Sequence, residues 1–127
     1  MVTVGSLMQT EPVTVEARTS VVEVAKLMKS RDVESVVVTR KAQIIGIVTE
    51  SDVVKKFLGA EKALYYVPVE EIVSRPLLHI EERRPLTEAA DLMEKQRTLY
   101  LGVTRGGSFI GLISVRDLLR PVSLDDF

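Results

Sequence analysis

Two short segments of the sequence place a hydroxyl three residues before a carboxylate. Thr49 precedes Asp52, and Ser114 precedes Asp117. Each hydroxyl follows a glycine and two apolar residues, at a point where a strand is expected to end and a helix to begin. Free backbone N–H groups at a helix start favour anions, and a carboxylate offers two acceptor oxygens. Both segments are therefore candidate sites for a polar ligand.

The same spacing also matches a capping box, in which hydroxyl and carboxylate satisfy backbone donors at the helix start. A helix start is needed there whatever the protein does. The acidic position of a capping box is best filled by the longer Glu or Gln, yet both segments have Asp. This choice favours a second role for Asp52 and Asp117. The residues alone leave both interpretations open.

The sequence offers little for catalysis or metal binding. It has no cysteine, which removes thiolate nucleophiles, disulfides and Cys-ligated zinc. Its only histidine, His79, lies on a predicted strand without a second ligand at useful spacing, and any Ser-His-Asp set would need it. We therefore expect neither an enzyme nor a metal site.

Composition favours one folded module. The chain has 127 residues, of which 46% are hydrophobic and 28% charged, and its formal net charge is −1. The interspersed charges give no basic face for nucleic acid. No basic N-terminal region leads into an apolar core, and no apolar run approaches the roughly 18 residues that span a bilayer. We expect a cytoplasmic protein without a membrane contact, and the charge pattern disfavours nucleic acid without excluding it.

An internal repeat organises the chain. Residues 16–55 align with residues 81–120 at a constant offset of 65, and the identical pairs include Leu27/Leu92, Met28/Met93, Ile45/Ile110, Gly46/Gly111 and Asp52/Asp117. A unit of about 60 residues buries little of its surface, so we expect the two repeats to share an interface as one pseudo-symmetric module. The predicted divisions are repeat 1 at 1–58, a connector at 59–68, repeat 2 at 69–120 and a tail at 121–127.

Hydrophobic periodicity predicts the order β-α-β-β-α in each repeat, a mixed α/β (α+β) fold. A short extended segment (13–15; 77–80) precedes a helix with apolar residues at helical spacing. Two β-branched runs then form a hairpin (35–39 with 44–49; 100–104 with 109–114). The final helices are expected over 50–58 and 115–119.

Four further local features have structural interpretations. Ser20 and Glu23 match a capping box, and Pro85 suits the first turn of the equivalent helix. Gly106 and Gly107 join two strands, so a hairpin turn is favoured over a phosphate-binding loop. In the connector, the adjacent tyrosines could stack on a nucleobase, but closing a core edge is the commoner role for such residues; these are Tyr65 and Tyr66.

The repeated order, with GIVTESD at 46–52 and GLISVRD at 111–117, resembles the cystathionine-β-synthase (CBS) domain family. Its motif is Gly, two apolar residues, Thr or Ser, two variable residues and Asp, and it occurs twice here at matching positions. The resemblance covers nearly the whole chain. It implies two repeats packed sheet to sheet as one module, and such modules commonly associate in pairs.

The resemblance implies regulatory binding of an adenosine-containing ligand of the AMP, ADP, ATP, S-adenosylmethionine or NAD type, with no required cofactor. The aspartates would accept hydrogen bonds from ribose hydroxyls, and Thr49 and Ser114 would contact the phosphate side. The lead-in segments and one strand residue per repeat would take up adenine. The full set of expected ligand contacts is Thr10, Pro12, Val13, Val36, Thr49, Ser51, Asp52, Ser74, Arg75, Pro76, Leu77, Tyr100, Leu101, Ser114, Arg116 and Asp117.

The two expected sites differ. Neither 35–39 nor 100–104 has the proline or the acid that many family members carry on this strand, and Tyr100 is large enough to block a pocket or to stack on adenine. Arg116 and Arg75 suit a phosphate, whereas Glu50 opposes an anion. We therefore expect the Asp117 site to prefer phosphorylated ligands and to depend more strongly on its aspartate.

Apolar positions on the last helices exceed what one small core hides, which predicts a homodimer; they are Val53, Val54, Phe57, Leu118 and Leu119. The sequence contains no recognisable catalytic, channel or DNA-binding domain, so we expect an output through an effector protein that the sequence does not identify. The alternative function is a CBS-type interaction scaffold that does not bind nucleotide.

Overall fold

The computed structural model describes residues 1–59, 64–74 and 76–120. It confirms the predicted mixed α+β fold, with two sheets. The backbone divides into two compact units. The continuous unit is Val13–Leu77, and the discontinuous unit combines Met1–Pro12 with the chain from Leu78 onward. The predicted repeat boundaries stay predictions, and residues 60–63 of the connector and the tail at 121–127 lie outside the described residues.

The helices and strands follow in chain order as α1 Val4–Leu7, β1 Gln9–Thr10, β2 Thr14–Glu16, α2 Val21–Arg31, β3 Ser35–Arg40, β4 Gln43–Thr49, α3 Glu50–Leu58, β5 His79–Glu81, α4 Leu86–Gln96, β6 Tyr100–Arg105, β7 Ser108–Ser114 and α5 Val115–Leu118. Two short 3₁₀ helices cover Leu64–Tyr66 and Val69–Glu71. The β-α-β-β-α order of each repeat is thus present.

The continuous unit holds a three-stranded sheet in the order β2-β3-β4. Strands β2 and β3 are parallel and connected through α2, whereas β3 and β4 form an antiparallel hairpin. Helical spacing places Val24 and Met28 on the buried face of α2. These side chains share a core with those of the sheet, of the turn after β2 and of one 3₁₀ helix, namely Val15, Ala17, Val36, Val38, Val48 and Val69.

The discontinuous unit holds a four-stranded sheet in the order β1-β7-β6-β5. Strands β5 and β6 are parallel around α4, and β6 and β7 form the equivalent hairpin. Most of its core repeats the first one at the offset of 65, with Val4 of α1 equivalent to Val69 and Leu7 of α1 additional. The members are Val4, Leu7, Ile80, Ala89, Met93, Leu101, Val103 and Ile113. The extra strand β1 pairs with the free edge of β7.

Both hairpins close through two-residue turns. Lys41 and Ala42 have φ angles of 52° and 63°, and Gly106 and Gly107 have 57° and 84°. Positive φ at both central positions matches the right-handed twist of the flanking strands. The hairpin turn predicted at Gly106 and Gly107 is confirmed, and its equivalent adopts the same backbone shape without glycine.

Two local expectations are wrong. Pro85 is not in the first turn of α4: it is the extended N-cap residue, with φ −69° and ψ 152°, because the helix begins at Leu86. Tyr65 and Tyr66 do not close a core edge, since 62% and 83% of their surfaces are exposed. The ammonium of Lys26 lies 5.7 Å from the centre of the Tyr65 ring.

Candidate functional site

The segment that leads into each repeat is paired with the hairpin of the other repeat. In the discontinuous unit, Gln9 of β1 pairs with Leu112 of β7. In the continuous unit, Ser74 forms an isolated bridge with Ile47 of β4, with N–H to carbonyl distances of 3.2 and 2.9 Å. Gln9 and Ser74 are equivalent at the offset of 65, as are Ile47 and Leu112. The repeats therefore exchange their lead-in segments symmetrically.

This exchange explains the motif glycines. A Cβ at Gly46 would lie 2.1 Å from the carbonyl oxygen of Ser74, and a Cβ at Gly111 would lie 2.7 Å from that of Gln9. Real Cβ atoms do not approach backbone oxygen so closely. Only glycine lets the lead-in backbone approach the strand this closely, three residues before Thr49 or Ser114. The motif thus fixes the lead-in segment beside the start of the last helix.

Thr49 and Asp52 form a complete capping box at the start of α3. Thr49 donates from its backbone N–H to Oδ2 of Asp52 at 2.9 Å and from its hydroxyl to the same oxygen at 3.0 Å. The backbone N–H of Asp52 donates to Oγ1 of Thr49 at 3.3 Å. Within the described part of the chain, the hydrogen bonds to this half-buried carboxylate all use Oδ2, which leaves Oδ1 for another donor.

Ser114 and Asp117 form the equivalent capping box at the start of α5. The backbone N–H and hydroxyl of Ser114 donate to Oδ2 of Asp117 at 2.8 and 3.2 Å. Two further groups contact this carboxylate: the Gln9 side-chain amide donates to Oδ2 at 3.0 Å, and the Arg120 guanidinium lies 3.6 Å from Oδ1. Asp117 is only 5% exposed.

The capping interpretation that the residues left open is therefore confirmed for both repeats, although aspartate is shorter than the Glu or Gln that fills this role best. In both repeats the carboxylate reaches the N-cap N–H at under 3 Å. Capping does not exclude ligand contact, because a carboxylate has two oxygens and several acceptor positions. The copies differ in their surroundings: among the described residues, Gln9 and Arg120 contact Asp117, whereas the contacts of Asp52 come from Thr49.

The remaining predicted contacts divide between the two units. With Asp52, the continuous unit holds Val13, Val36, Thr49, Ser51, Ser74, Pro76 and Leu77; with Asp117, the discontinuous unit holds Thr10, Pro12, Tyr100, Leu101, Ser114 and Arg116. Ser51 and Arg116 are exposed in the first turns of α3 and α5. Val36 and Leu101 are fully buried in the two cores. Arg75 lies outside the described residues.

Sequence reasoning missed Gln9 and Arg120. Gln9 comes from the lead-in segment 108 positions away from Asp117, so no local spacing connects them. Arg120 also donates to the backbone carbonyl of Leu7 in α1. Its spacing of three residues from Asp117 was the one available signal, because side chains three apart are neighbours on a helix.

Comparison with known proteins agrees with the paired motif. The sequence matches the CBS domain family over residues 4–59 and again over residues 69–123. This chain belongs to the CBS-domain family. A relative from Methanocaldococcus jannaschii is 32% identical over 117 residues, which cover 90% of this chain and 63% of the relative. One from Methanopyrus kandleri is 31% identical, with 94% and 62% covered. The chain thus spans somewhat less than two thirds of these relatives.

Solved structures share the CBS-pair fold. A protein from Pyrococcus horikoshii superposes with a TM-score of 0.83 and 28% identity, covering 96% of both chains. A CBS-domain protein from Agrobacterium tumefaciens gives 0.82 at 24% identity, covering 93% of this chain and 91% of that one. A CBS-domain protein from Pyrobaculum aerophilum, solved in complex with AMP, gives 0.79 at 21% identity, covering 92% and 90%.

Two further features are absent from the described part of this CBS pair. Within residues 1–59, 64–74 and 76–120, no cluster of three or more His, Asp or Glu side chains is arranged to hold a metal ion. His79 is exposed on β5. Over the same described part of the chain, no helix has the length and apolarity to cross a membrane.

Proposed function

We propose that this chain is a regulatory CBS module that binds an adenosine-containing ligand and signals to a partner protein. The observation that carries the proposal is the repeated motif that begins with Gly and ends with Asp. In each repeat it places a carboxylate that also caps the helix at the helix start. CBS-domain proteins are generally regulatory modules. The AMP complex of the Pyrobaculum protein supports AMP as the first ligand to test.

The proposed ligand contacts at the first site follow from the start of α3. Oδ1 of Asp52 would accept a hydrogen bond from a ribose hydroxyl while Oδ2 keeps its capping bonds. The backbone N–H and the hydroxyl of Ser51 would face the phosphate, because the N–H groups of Glu50 and Asp52 already donate to the Glu34 carbonyl and to Oγ1 of Thr49. Val13, Ser74, Pro76 and Leu77 would contact adenine from the lead-in segments.

Burial supports Asp52, and not Asp117, as the more available carboxylate. Asp117 is 5% exposed and already contacted by Gln9 and Arg120, whereas the described contacts of Asp52 come from Thr49. A ligand at Asp117 would have to share or displace those groups. We therefore propose Asp52 as the stronger determinant of binding, which reverses the ranking expected from the sequence; Arg116 still suits a phosphate at the second site.

Calorimetry with AMP tests this proposal. Asp52→Asn keeps a capping oxygen but removes the charge, so we expect at least about tenfold weaker AMP binding with little change in melting temperature. Glu50→Gln is the matched control, because it removes one negative charge from the same helix turn without touching the cap. Unchanged AMP affinity in Asp52→Asn would contradict the proposed contact.

The second candidate function is an interaction scaffold without nucleotide binding. It is supported by the capping boxes, since both carboxylates already have a structural role without a ligand. A ligand at about 100 times its dissociation constant stabilises a fold by roughly 2.7 kcal/mol. Melting curves that AMP, ADP, ATP, S-adenosylmethionine and NAD all leave unchanged would favour the scaffold.

We further propose that the protein acts in the cytoplasm as a homodimer. Its last helix in repeat 1 leaves Val54, Phe57 and Leu58 between 54% and 79% exposed. Contiguous exposed apolar surface of this kind is typical of an interaction site. Light scattering at micromolar concentration should give twice the monomer mass, with and without AMP.

A further inference from the structure

The two lead-in segments differ in how far one side chain reaches. Gln9 and Ser74 are equivalent at the offset of 65, and each is paired with a hairpin strand beside the motif glycine. The serine hydroxyl is bonded directly to Cβ, whereas glutamine carries its amide one methylene group further out. Among the hydrogen bonds of the described residues, the lead-in side chain donates to Asp117, through Gln9 at 3.0 Å, and not to Asp52.

The backbone that carries the Gln9 amide is fixed. Gln9 pairs with Leu112 in the ladder between β1 and β7, and the Arg120 guanidinium donates to the carbonyl of Leu7 in the same lead-in segment. The Gln9 side chain is exposed, whereas Asp117 is only 5% exposed. Rotation about the side-chain bonds of Gln9 can therefore withdraw the amide from Asp117 without disturbing the strand pairing.

The bond from Gln9 has the chemistry that a ligand would use. An amide N–H and a ribose hydroxyl are both donors, and both suit a carboxylate oxygen. Oδ2 of Asp117 already accepts from the backbone N–H and the hydroxyl of Ser114 and from Gln9. The Arg120 guanidinium lies 3.6 Å from Oδ1, which is an ion-pair distance and too long for a hydrogen bond. A ligand hydroxyl at this carboxylate would thus compete first with Gln9.

We propose that Gln9 takes the place of a ligand hydroxyl at Asp117 and keeps the second site closed, so that the chain binds one adenosine-containing ligand, at Asp52. This inference rests on the proposed function and adds the residue that sets the number of ligands per chain. Hydrogen bonds to a charged group are stronger than neutral ones, so displacing Gln9 weakens any binding at Asp117. Serine at position 74 leaves Asp52 accessible.

Calorimetry with AMP tests the closure. Gln9→Ser places at position 9 the residue that the other lead-in segment has at position 74. We expect about one AMP per original chain and about two per Gln9→Ser chain, with affinity at the second site raised by about tenfold or more. Adding Asp117→Asn to Gln9→Ser should return the count to about one, which assigns the gained site to Asp117.

Melting temperatures separate closure of a site from a purely structural role of Gln9. Without AMP, Gln9→Ser should melt slightly below the original chain, because a hydrogen bond is lost. With saturating AMP, it should gain more stability than the original chain, because a second ligand binds only the folded state. A purely structural glutamine would lower both melting temperatures and leave the gain from AMP unchanged.

Gln43→Ser is the matched control, because it makes the same change at an exposed strand residue, at the opposite end of β4 from Thr49. It should still bind about one AMP per chain. Two AMP per original chain, one per Gln9→Ser chain, or a gained site that survives Asp117→Asn would each overturn the closure and leave the proposed function standing. Binding by Gln9→Ser alone would support the closure and contradict the proposed contact at Asp52; binding by neither chain would overturn both.

Discussion

Asp52 and Asp117 show how one residue type in one motif acquires different properties from its surroundings. Both accept a backbone N–H and a hydroxyl proton through Oδ2 at a helix start. The buried Asp117 also accepts a hydrogen bond from the Gln9 amide and lies near the Arg120 guanidinium. Replacing Asp117 therefore disrupts more polar contacts than replacing Asp52 does. Removing one partner of a buried network costs more than the same change at a half-exposed site.

We therefore expect Asp117→Asn to reduce the free energy of unfolding by about 1–3 kcal/mol, and Asp52→Asn by less than about 1 kcal/mol. At the buried position, the asparagine NH₂ group would lie near the N–H and O–H donors that bind Oδ2 of Asp117 in the original chain. Urea titration of the unliganded proteins measures both losses. Equal losses would mean that Gln9 and Arg120 contribute nothing to the second cap.

Gly46→Ala is expected to destabilise the fold by about 1–3 kcal/mol or more, because its Cβ would lie 2.1 Å from the Ser74 carbonyl oxygen and force the backbones apart. Gly59→Ala is the matched control. Gly59 has φ −97°, and its added Cβ would lie 3.6 Å from the nearest atom, the Lys55 carbonyl oxygen. Thermal denaturation should show a clear loss for Gly46→Ala alone; comparable losses would refute the close-approach explanation.

At the level of elements, regular structure was predictable where the pattern is local. The bounds of α3 are as predicted, 50–58, because apolar spacing and a capping sequence mark both its body and its start. Each hairpin was also predictable, since β-branched runs flank a short turn. The strands extend by one residue toward each turn because the flanking residues complete the ladder, as in the Arg40–Gln43 pair.

What depends on distant partners was not predictable. The segment 9–10 is too short for a strand pattern and pairs only because the free edge of β7 lies beside it. The capping boxes could be proposed from spacing alone, but the hydrogen bond from Gln9 to Asp117 joins residues 108 positions apart in sequence. Likewise the exposure of Tyr65 and Tyr66 is set by tertiary packing and not by residue type.

The turn before α4 contributes a pH-dependent part of the stability of the fold. Glu82 accepts two hydrogen bonds from the Arg105 guanidinium, at 2.6 and 2.9 Å, and these bonds lower the pKa of the Glu82 carboxyl below its usual 4.5. A carboxyl whose pKa is lower in the folded state stabilises the fold above its unfolded pKa and loses that contribution as pH falls through the folded value.

Glu82→Gln should therefore lower the melting temperature at pH 7, and the difference from the original chain should shrink as the pH falls below 4.5 and through the lowered pKa of the folded state. The effect should be small, because the Arg105 side chain is 65% exposed and solvent screens the pair. Melting curves across this pH range check both points. A difference that persists unchanged in acid would show that Glu82 acts through packing and not through its charge.

Over the whole molecule, the exchange of lead-in segments links the stability of each repeat to residues of the other. Val4, near the start of repeat 1, is fully buried in the core that contains Leu101 and Ile113 of repeat 2. Its equivalent at the offset of 65 is Val69, fully buried in the core that contains Val36 and Val48 of repeat 1. The pseudo-symmetry thus extends to the exchanged core residues.

Val4→Ala and Val69→Ala should consequently loosen opposite hairpins. Each change removes two buried methyl groups and leaves a cavity, at a cost of about 2 kcal/mol. Native-state hydrogen exchange resolves where protection is lost. We expect Val4→Ala to increase exchange mainly in Tyr100–Ser114, and Val69→Ala mainly in Ser35–Thr49. Each variant is the control for the other, since residue type, burial and volume change are matched. If each variant instead loosened the hairpin nearer to it in sequence, the exchange would be refuted; if both loosened the two hairpins equally, the repeats would unfold as a single cooperative unit.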